Sequence, residues 1–109
     1  MSEMEMTARR MRLLAKFFQG FADSSRLLIL SCLRAGPLSV SEIVKRTGLT
    51  QSNVSNHLAC LRNCGHVGSR QKGRAVVYSL GSKKVERLLN MSEDILKQNA
   101  LGIYECTKM

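Results

Sequence analysis

Aromatic side chains, acids, proline and long apolar runs are all scarce in this sequence, and each scarcity excludes something. The aromatics are Phe17, Phe18, Phe21, Tyr78 and Tyr104. So small a set argues against a protein that binds single strands by stacking bases on aromatic platforms. No stretch approaches the roughly 18 consecutive apolar residues that a membrane span needs. The opening MSEMEMTARR mixes acids with bases and leads into no apolar signal segment, so a cytoplasmic protein without a membrane partner is expected. Repeats and low-complexity segments are absent too. In 109 residues, 44% of them apolar, there is room for one compact domain and not for a multidomain enzyme.

The shortage of acids is local. Seventeen Lys and Arg stand against eight Asp and Glu, a formal charge of +9. Between Ile43 and Val85 there is no acid at all, while Lys45, Arg46, Arg62, Arg70, Lys72, Arg74, Lys83 and Lys84 fall inside. Glu3, Glu5, Asp23 and Glu42 precede this stretch, and Glu86, Glu93, Asp94 and Glu105 follow it. Solubility alone does not require such segregation, whereas a polyanion does. Duplex DNA is the expected partner.

Apolar spacing predicts helices over 7–18, through Met11, Leu13, Leu14, Phe17 and Phe18, and over 24–34, through Leu27, Leu28, Leu30 and Leu33. Gly36-Pro37, with the chain's one proline, ends the second. Ser39 or Ser41 caps a short helix through Arg46, Gly48 stops it, and Thr50 caps an amphipathic run over 51–63. Residues 39–63 thus read as a helix-turn-helix. Val67–Gln71 and Ala75–Leu80 flank Lys72-Gly73-Arg74, which makes 67–80 a hairpin wing. A last helix runs from about Ser82 to Leu101, leaving 102–109 as a tail. The expected fold is mainly helical with a small β-hairpin: a single winged helix-turn-helix domain over 1–109. Its apolar helices 7–18 and 82–101 would pair with a second copy to form a homodimer.

Turning the 51–63 helix by about 100° per residue puts Val54, Leu58 and Leu61 on a buried face and Ser52, Ser55 and Asn56 on the outer surface. Gln51 stands at the start of that surface, with Asn53 and His57 on its flank. Ser, Asn and Gln can bond phosphates or base edges, and Gln can read adenine with two bonds. Gln51, Ser52, Asn53, Ser55, Asn56 and His57 are therefore the candidate DNA readers, and Arg70, Lys72 and Arg74 of the wing the candidate phosphate contacts.

The same rotation puts Cys60 and Cys64, four residues apart, on one flank. Their β-carbons should lie about 5–6 Å apart in a helix. A disulfide wants about 3.8 Å, so this pair suits a bridging metal better. Two thiolates need a third ligand, and Cys106 near the C-terminus can supply it. Cys32, within LLILSCLRAG, reads as a small core residue. His57 and His66 read as structural or DNA-facing side chains, with a part in ligation left open.

The run LTQSNVSNHLACLRNCGHV, followed by GRAVVYSL, resembles the recognition helix and wing of the ArsR/SmtB metalloregulatory repressors, a likeness covering about residues 10–100. With a further cysteine near the C-terminus it resembles the CmtR-type cadmium/lead sensors of that family, whose three ligand positions match Cys60, Cys64 and Cys106. PLSVSEIVKR lacks the Cys-x-Cys of the family's arsenic and cadmium sensors, and the last helix lacks the Asp/His ligands of its zinc sensors. The resemblance implies a homodimeric repressor that holds operator DNA without metal and releases it when metal binds. It also suggests that Cys106 reaches the other subunit. Soft thiolates lean toward Cd(II) or Pb(II), with Zn(II), trivalent arsenic and other thiophilic ions as alternatives. A thiol redox or persulfide sensor on the same fold is the alternative mechanism. An effector-blind DNA-binding module is a third reading. Cys64-Gly65-His66 places a thiol near an imidazole, but no oxyanion device or acidic orienter accompanies it, so neither an enzyme nor a small-molecule substrate is expected.

Overall fold

The computed structural model describes residues 1–108, with side chains described through Cys106. Helix α1 spans Glu3–Gln19. Ser2 caps it by accepting the backbone N–H of Glu5 at 3.1 Å, and Glu3 and Glu5 put negative charge at its positive end. None of its side chains is buried. Asp23 caps α2, Ser24–Cys32, by accepting the Arg26 N–H at 3.0 Å. The helix tightens into a 3-10 turn over Leu33–Ala35 and stops at Gly36, whose φ of 142° suits glycine.

Strand β1, Leu38–Ser39, leads straight into α3, Val40–Thr47. A capping box starts α3: the Ser39 hydroxyl accepts from the Glu42 N–H, and the Glu42 carboxylate accepts from the Ser39 N–H. Gly48, with φ 75°, ends it, and Thr50 caps α4, Gln51–Asn63, by accepting the Asn53 N–H at 3.2 Å. Strands β2, Val67–Lys72, and β3, Ala75–Leu80, pair antiparallel in a register running from Val67 opposite Leu80 to Lys72 opposite Ala75. The sheet order is β1-β3-β2, with Leu38 opposite Tyr78 and Ser39 opposite Val77. Two residues of β1 thereby tie the wing to the start of the helix-turn-helix.

The core is formed by Ile29, Leu30 and Leu33 from the α2 arm, Leu38, Ile43 of α3, Val54, Leu58 and Leu61 of α4, Val67, and Val85 and Leu89 of α5. Full burial of such a side chain is worth about 1.5–3 kcal/mol. Val54, Leu58 and Leu61 are the residues that the helical rotation puts inside, and their burial fixes which face of α4 looks outward. Cys32 packs against this core, half-buried. The fold is a winged helix-turn-helix.

Helix α5 departs from the sequence expectation. It spans Lys83–Lys108, with a break at Asn99 (φ −130°, ψ 19°), so the segment from 102 to 108 is helical rather than a loose tail. The Asn99 side chain donates to Ile95 O at 3.0 Å at the break. Among the described residues of α5, only Val85 and Leu89 reach the core, while Met91, Ile95, Leu96, Leu101 and Ile103 are exposed. On α1, Met4, Met11, Leu13, Leu14 and Phe18 are exposed as well. No helix among the described residues is long and apolar enough to cross a membrane.

Candidate nucleic-acid interface and thiol sites

Because the inner face of α4 is committed to the core, its other residues are displayed. Gln51, Ser52, Asn53, Ser55 and Asn56 are exposed. The Thr50 and Ser52 hydroxyls approach at 3.4 Å. Among the described residues, no intrachain hydrogen bond takes up the side chains of Gln51, Asn53, Ser55 or Asn56. Five exposed polar side chains therefore stand in the first two turns of one helix with donors and acceptors to spare, as groove reading requires.

The wing adds charge. Arg70, Lys72 and Arg74 are all exposed, and Arg70 and Lys72, two apart on β2, share one face of the hairpin. Gly73, with φ 64°, makes the turn, and the Gln71 side chain donates to Gly73 O at 3.1 Å across it. The ion pairs among the described residues are Arg34 with Glu93 at 2.8 Å and His57 with Asp23 at 3.9 Å. None of the eight Lys and Arg of the acid-free stretch is in either pair. Their positive charge is left for a partner, apart from Glu42, whose carboxyl lies below the usual carboxylate value. The Ser39 backbone N–H lowers it most, followed by the Ser39 hydroxyl, with Arg46 and Lys72 contributing.

His57 is placed differently from the expectation that grouped it with the readers. Its ring is half-buried, and Arg26 of α2 donates Nε–H to its Nδ1 at 3.3 Å. The same guanidinium donates through Nη1 to Gln19 O at 3.2 Å, and His57 Nε2 lies 3.9 Å from the Asp23 carboxylate. His57 thus docks α4 onto the α1–α2 corner, because those partners satisfy the ring better than open solvent. Sequence reasoning missed Asp23 and Arg26 as its partners, since 31 positions separate Arg26 from His57 and no local pattern links them.

His66 is also structural, and fully buried. Its Nδ1 lies 3.1 Å from Cys64 O and its Nε2 3.0 Å from Phe17 O, with the ring stacked on Phe21 at 4.2 Å.

All four cysteines are free thiols: Cys64 and Cys106 exposed, Cys60 and Cys32 half-buried. The Cys64 N–H donates to Cys60 O at 3.2 Å, so helical geometry persists through Cys64 and the pair shares one flank of α4. Cys106 lies on the far segment of α5. Among the described residues of one chain, no three His, Cys, Asp or Glu side chains are gathered to hold a metal ion. Cys60 and Cys64 suit a thiophilic ion in residue type and exposure, but one chain does not bring Cys106 to them.

Comparison with known proteins fits this geometry. The family described as "Bacterial regulatory protein, arsR family" matches residues 23–69. A protein of Streptomyces lividans named "Probable mercury resistance operon repressor" is 35% identical over 87% of this chain and 76% of its own length. The HTH-type transcriptional regulator CmtR of Mycobacterium tuberculosis is 42% identical over 70% of this chain, which spans 64% of that relative. A homodimeric winged helix-turn-helix DNA-binding domain from Mycobacterium bovis, solved in solution, superposes with a TM-score of 0.79 at 26% identity, covering 93% of this chain and 91% of that one.

Proposed function

Because this chain belongs to the arsR family of bacterial regulatory proteins, which bind DNA and are not enzymes, we propose that it is a metal-responsive repressor that holds its operator as a homodimer without metal and releases it when a soft ion binds. One observation carries this reading. Cys60 and Cys64 are free thiols on the same helix whose first turns present Gln51, Ser52, Asn53, Ser55 and Asn56 to the outside. A ligand held by the first pair acts directly on the orientation of the second group.

In this reading α4 enters the major groove, where Gln51 and Asn56 read base edges and Ser52, Asn53 and Ser55 bond bases or phosphates. Arg70, Lys72 and Arg74 hold the flanking backbone. The exposed apolar faces of α1 and α5 pair with those of a second copy. Cys60 and Cys64 supply two thiolates, and the third comes from Cys106 of the partner subunit. Cd(II) or Pb(II), when bound, would supply a soft centre matched to these thiolates. Drawing Cys64 toward another chain's α5 changes how α4 sits against the groove. A coupling of about 1–3 kcal/mol is enough to weaken operator binding roughly 5- to 150-fold.

The test is a titration of the reduced protein with Cd(II), Pb(II) and Zn(II), following thiolate charge-transfer absorbance alongside operator binding. Absorbance growing as DNA is released, and both lost in Cys60→Ser, is the expected result. Undiminished operator binding by the metal-saturated protein overturns the reading. Release by oxidant or persulfide with no metal present supports the redox alternative instead.

A further inference from the structure

We infer that His66 is a positioning residue for the switch, carrying displacement of Cys64 into the C-terminal end of α1. This rests on the metal-responsive reading above and adds the route by which a thiol on α4 reaches the helix proposed to pair the subunits.

The imidazole bridges two helix ends. Cys64 O, at the close of α4, lies 3.1 Å from Nδ1, and Phe17 O, in the last turn of α1, lies 3.0 Å from Nε2. The ring is fully buried and is held between Phe17, at 4.6 Å between ring centres, and Phe21, at 4.2 Å. The turn that carries it is equally constrained. His66 N–H donates to Leu61 O, and Gly81 N–H donates to His66 O, each at 2.9 Å. A Cβ on Gly81 would collide with Gly65 O, so the strand end presses directly on the turn's backbone. A Cβ on Gly20 would stand 2.7 Å from His66 Nε2, so α1 closes on the ring only because residue 20 is glycine.

Such packing leaves little slack between Cys64 and α1. Helix α1 has no buried side chain to anchor it. Its end is fixed to the domain by the Phe17, Phe21 and His66 cluster and by the bond from Arg26 to Gln19 O. The ring is in contact with a carbonyl of each helix end and packed on two phenyl rings, so a shift of the Cys64 carbonyl is passed to the Phe17 carbonyl through one rigid side chain.

The experiment compares the full-length parent with Gly20→Ala, which crowds the ring, and His66→Gln, which removes it. Operator affinity is measured before and after saturating Cd(II), and metal uptake is followed by charge-transfer absorbance. Both variants should take up Cd(II) like the parent and bind DNA in the apo form within about threefold of it. Metal-driven release should shrink from the parent's roughly 5- to 150-fold range to under about threefold. In the parent, the backbone amide shifts at the end of α1, from Phe17 to Gly20, should move on Cd(II) loading and should stay in place in His66→Gln, a contrast that a purely structural ring would not give. Variants that release DNA as fully as the parent, or α1-end shifts in the parent unchanged by metal, overturn the inference. The measurement on the parent decides the matter even where a variant fails to fold. A parent that binds Cd(II) without releasing DNA instead defeats the metal-responsive reading itself.

Discussion

Arg26 donates to Nδ1 of His57 at 3.3 Å and, with its other arm, to Gln19 O at 3.2 Å. One guanidinium therefore binds a half-buried flank of α4 to the place where α1 ends and α2 begins. The His57 ring thus takes part in docking α4 within the chain.

His57→Ala should accordingly cost about 1 kcal/mol of stability, the usual net worth of a hydrogen bond, with the preference among operator sequences unchanged. Asn56→Ala and Gln51→Ala should do the reverse. Each should leave the urea midpoint near the parent's and relax discrimination at one base pair by about 1–3 kcal/mol. Binding measured across a panel of single-base operator variants separates the two outcomes.

The wing cations should act without regard to sequence. Each of Arg70→Gln, Lys72→Gln and Arg74→Gln should weaken binding to all DNA alike. Each should also reduce the slope of log affinity against log salt by about 0.9 for every phosphate it no longer neutralises. A slope identical to the parent's in the triple variant would show that the wing does not touch the backbone.

Acid should reveal the link between the 3-10 turn after α2 and α5. The Arg34 hydrogen bond, with its charge, holds the Glu93 carboxyl below the usual 4.5. Glu93 then binds fewer protons folded than unfolded, so the stability it contributes is complete above about pH 4.5 and is lost as pH falls through the lowered value. Glu93→Gln should therefore sit below the parent in urea midpoint near neutral pH, and the gap should close on acidification below about 4.5. A gap that does not narrow would mean that the carboxylate's charge is irrelevant there.

Subunit mixing tests where the third thiolate comes from. A chain carrying Cys60→Ser and Cys64→Ser keeps only Cys106 of the proposed set, and a chain carrying Cys106→Ser keeps only the pair on α4. Neither homodimer can build a three-thiol site. If the site spans subunits, the mixed dimer regains one of its two sites and shows about half the parent's charge-transfer absorbance. Absorbance no higher than in the separate homodimers would place all three thiols on one chain.

How much of this was legible in the sequence depended on the range of the interaction. The face of α4 could be read because the spacing of Val54, Leu58 and Leu61 is a local signal, and the wing because Gly73 sits between β-branched runs. Strand β1 escaped notice because two residues carry no periodicity, and only its pairing with Tyr78 and Val77 makes it a strand. The helical end of α5 was missed because its sequence has no core-facing stripe to mark it. The partners of both histidines stayed hidden for a related reason. His57 answers to Arg26, and His66 to a carbonyl 49 positions away, and neither relationship leaves a trace in neighbouring residues.

Helix α1 turns none of its seventeen residues into the core. Most of a helix's stability in a protein comes from packing an apolar face rather than from propensity. If the face of α1 is covered by a second copy, as proposed, that support scales with the concentration of the chain. A cell that makes few copies would have more than fewer repressors, because each copy would spend more of its time with that face uncovered. Dosage would then set the quality of the protein as well as its quantity.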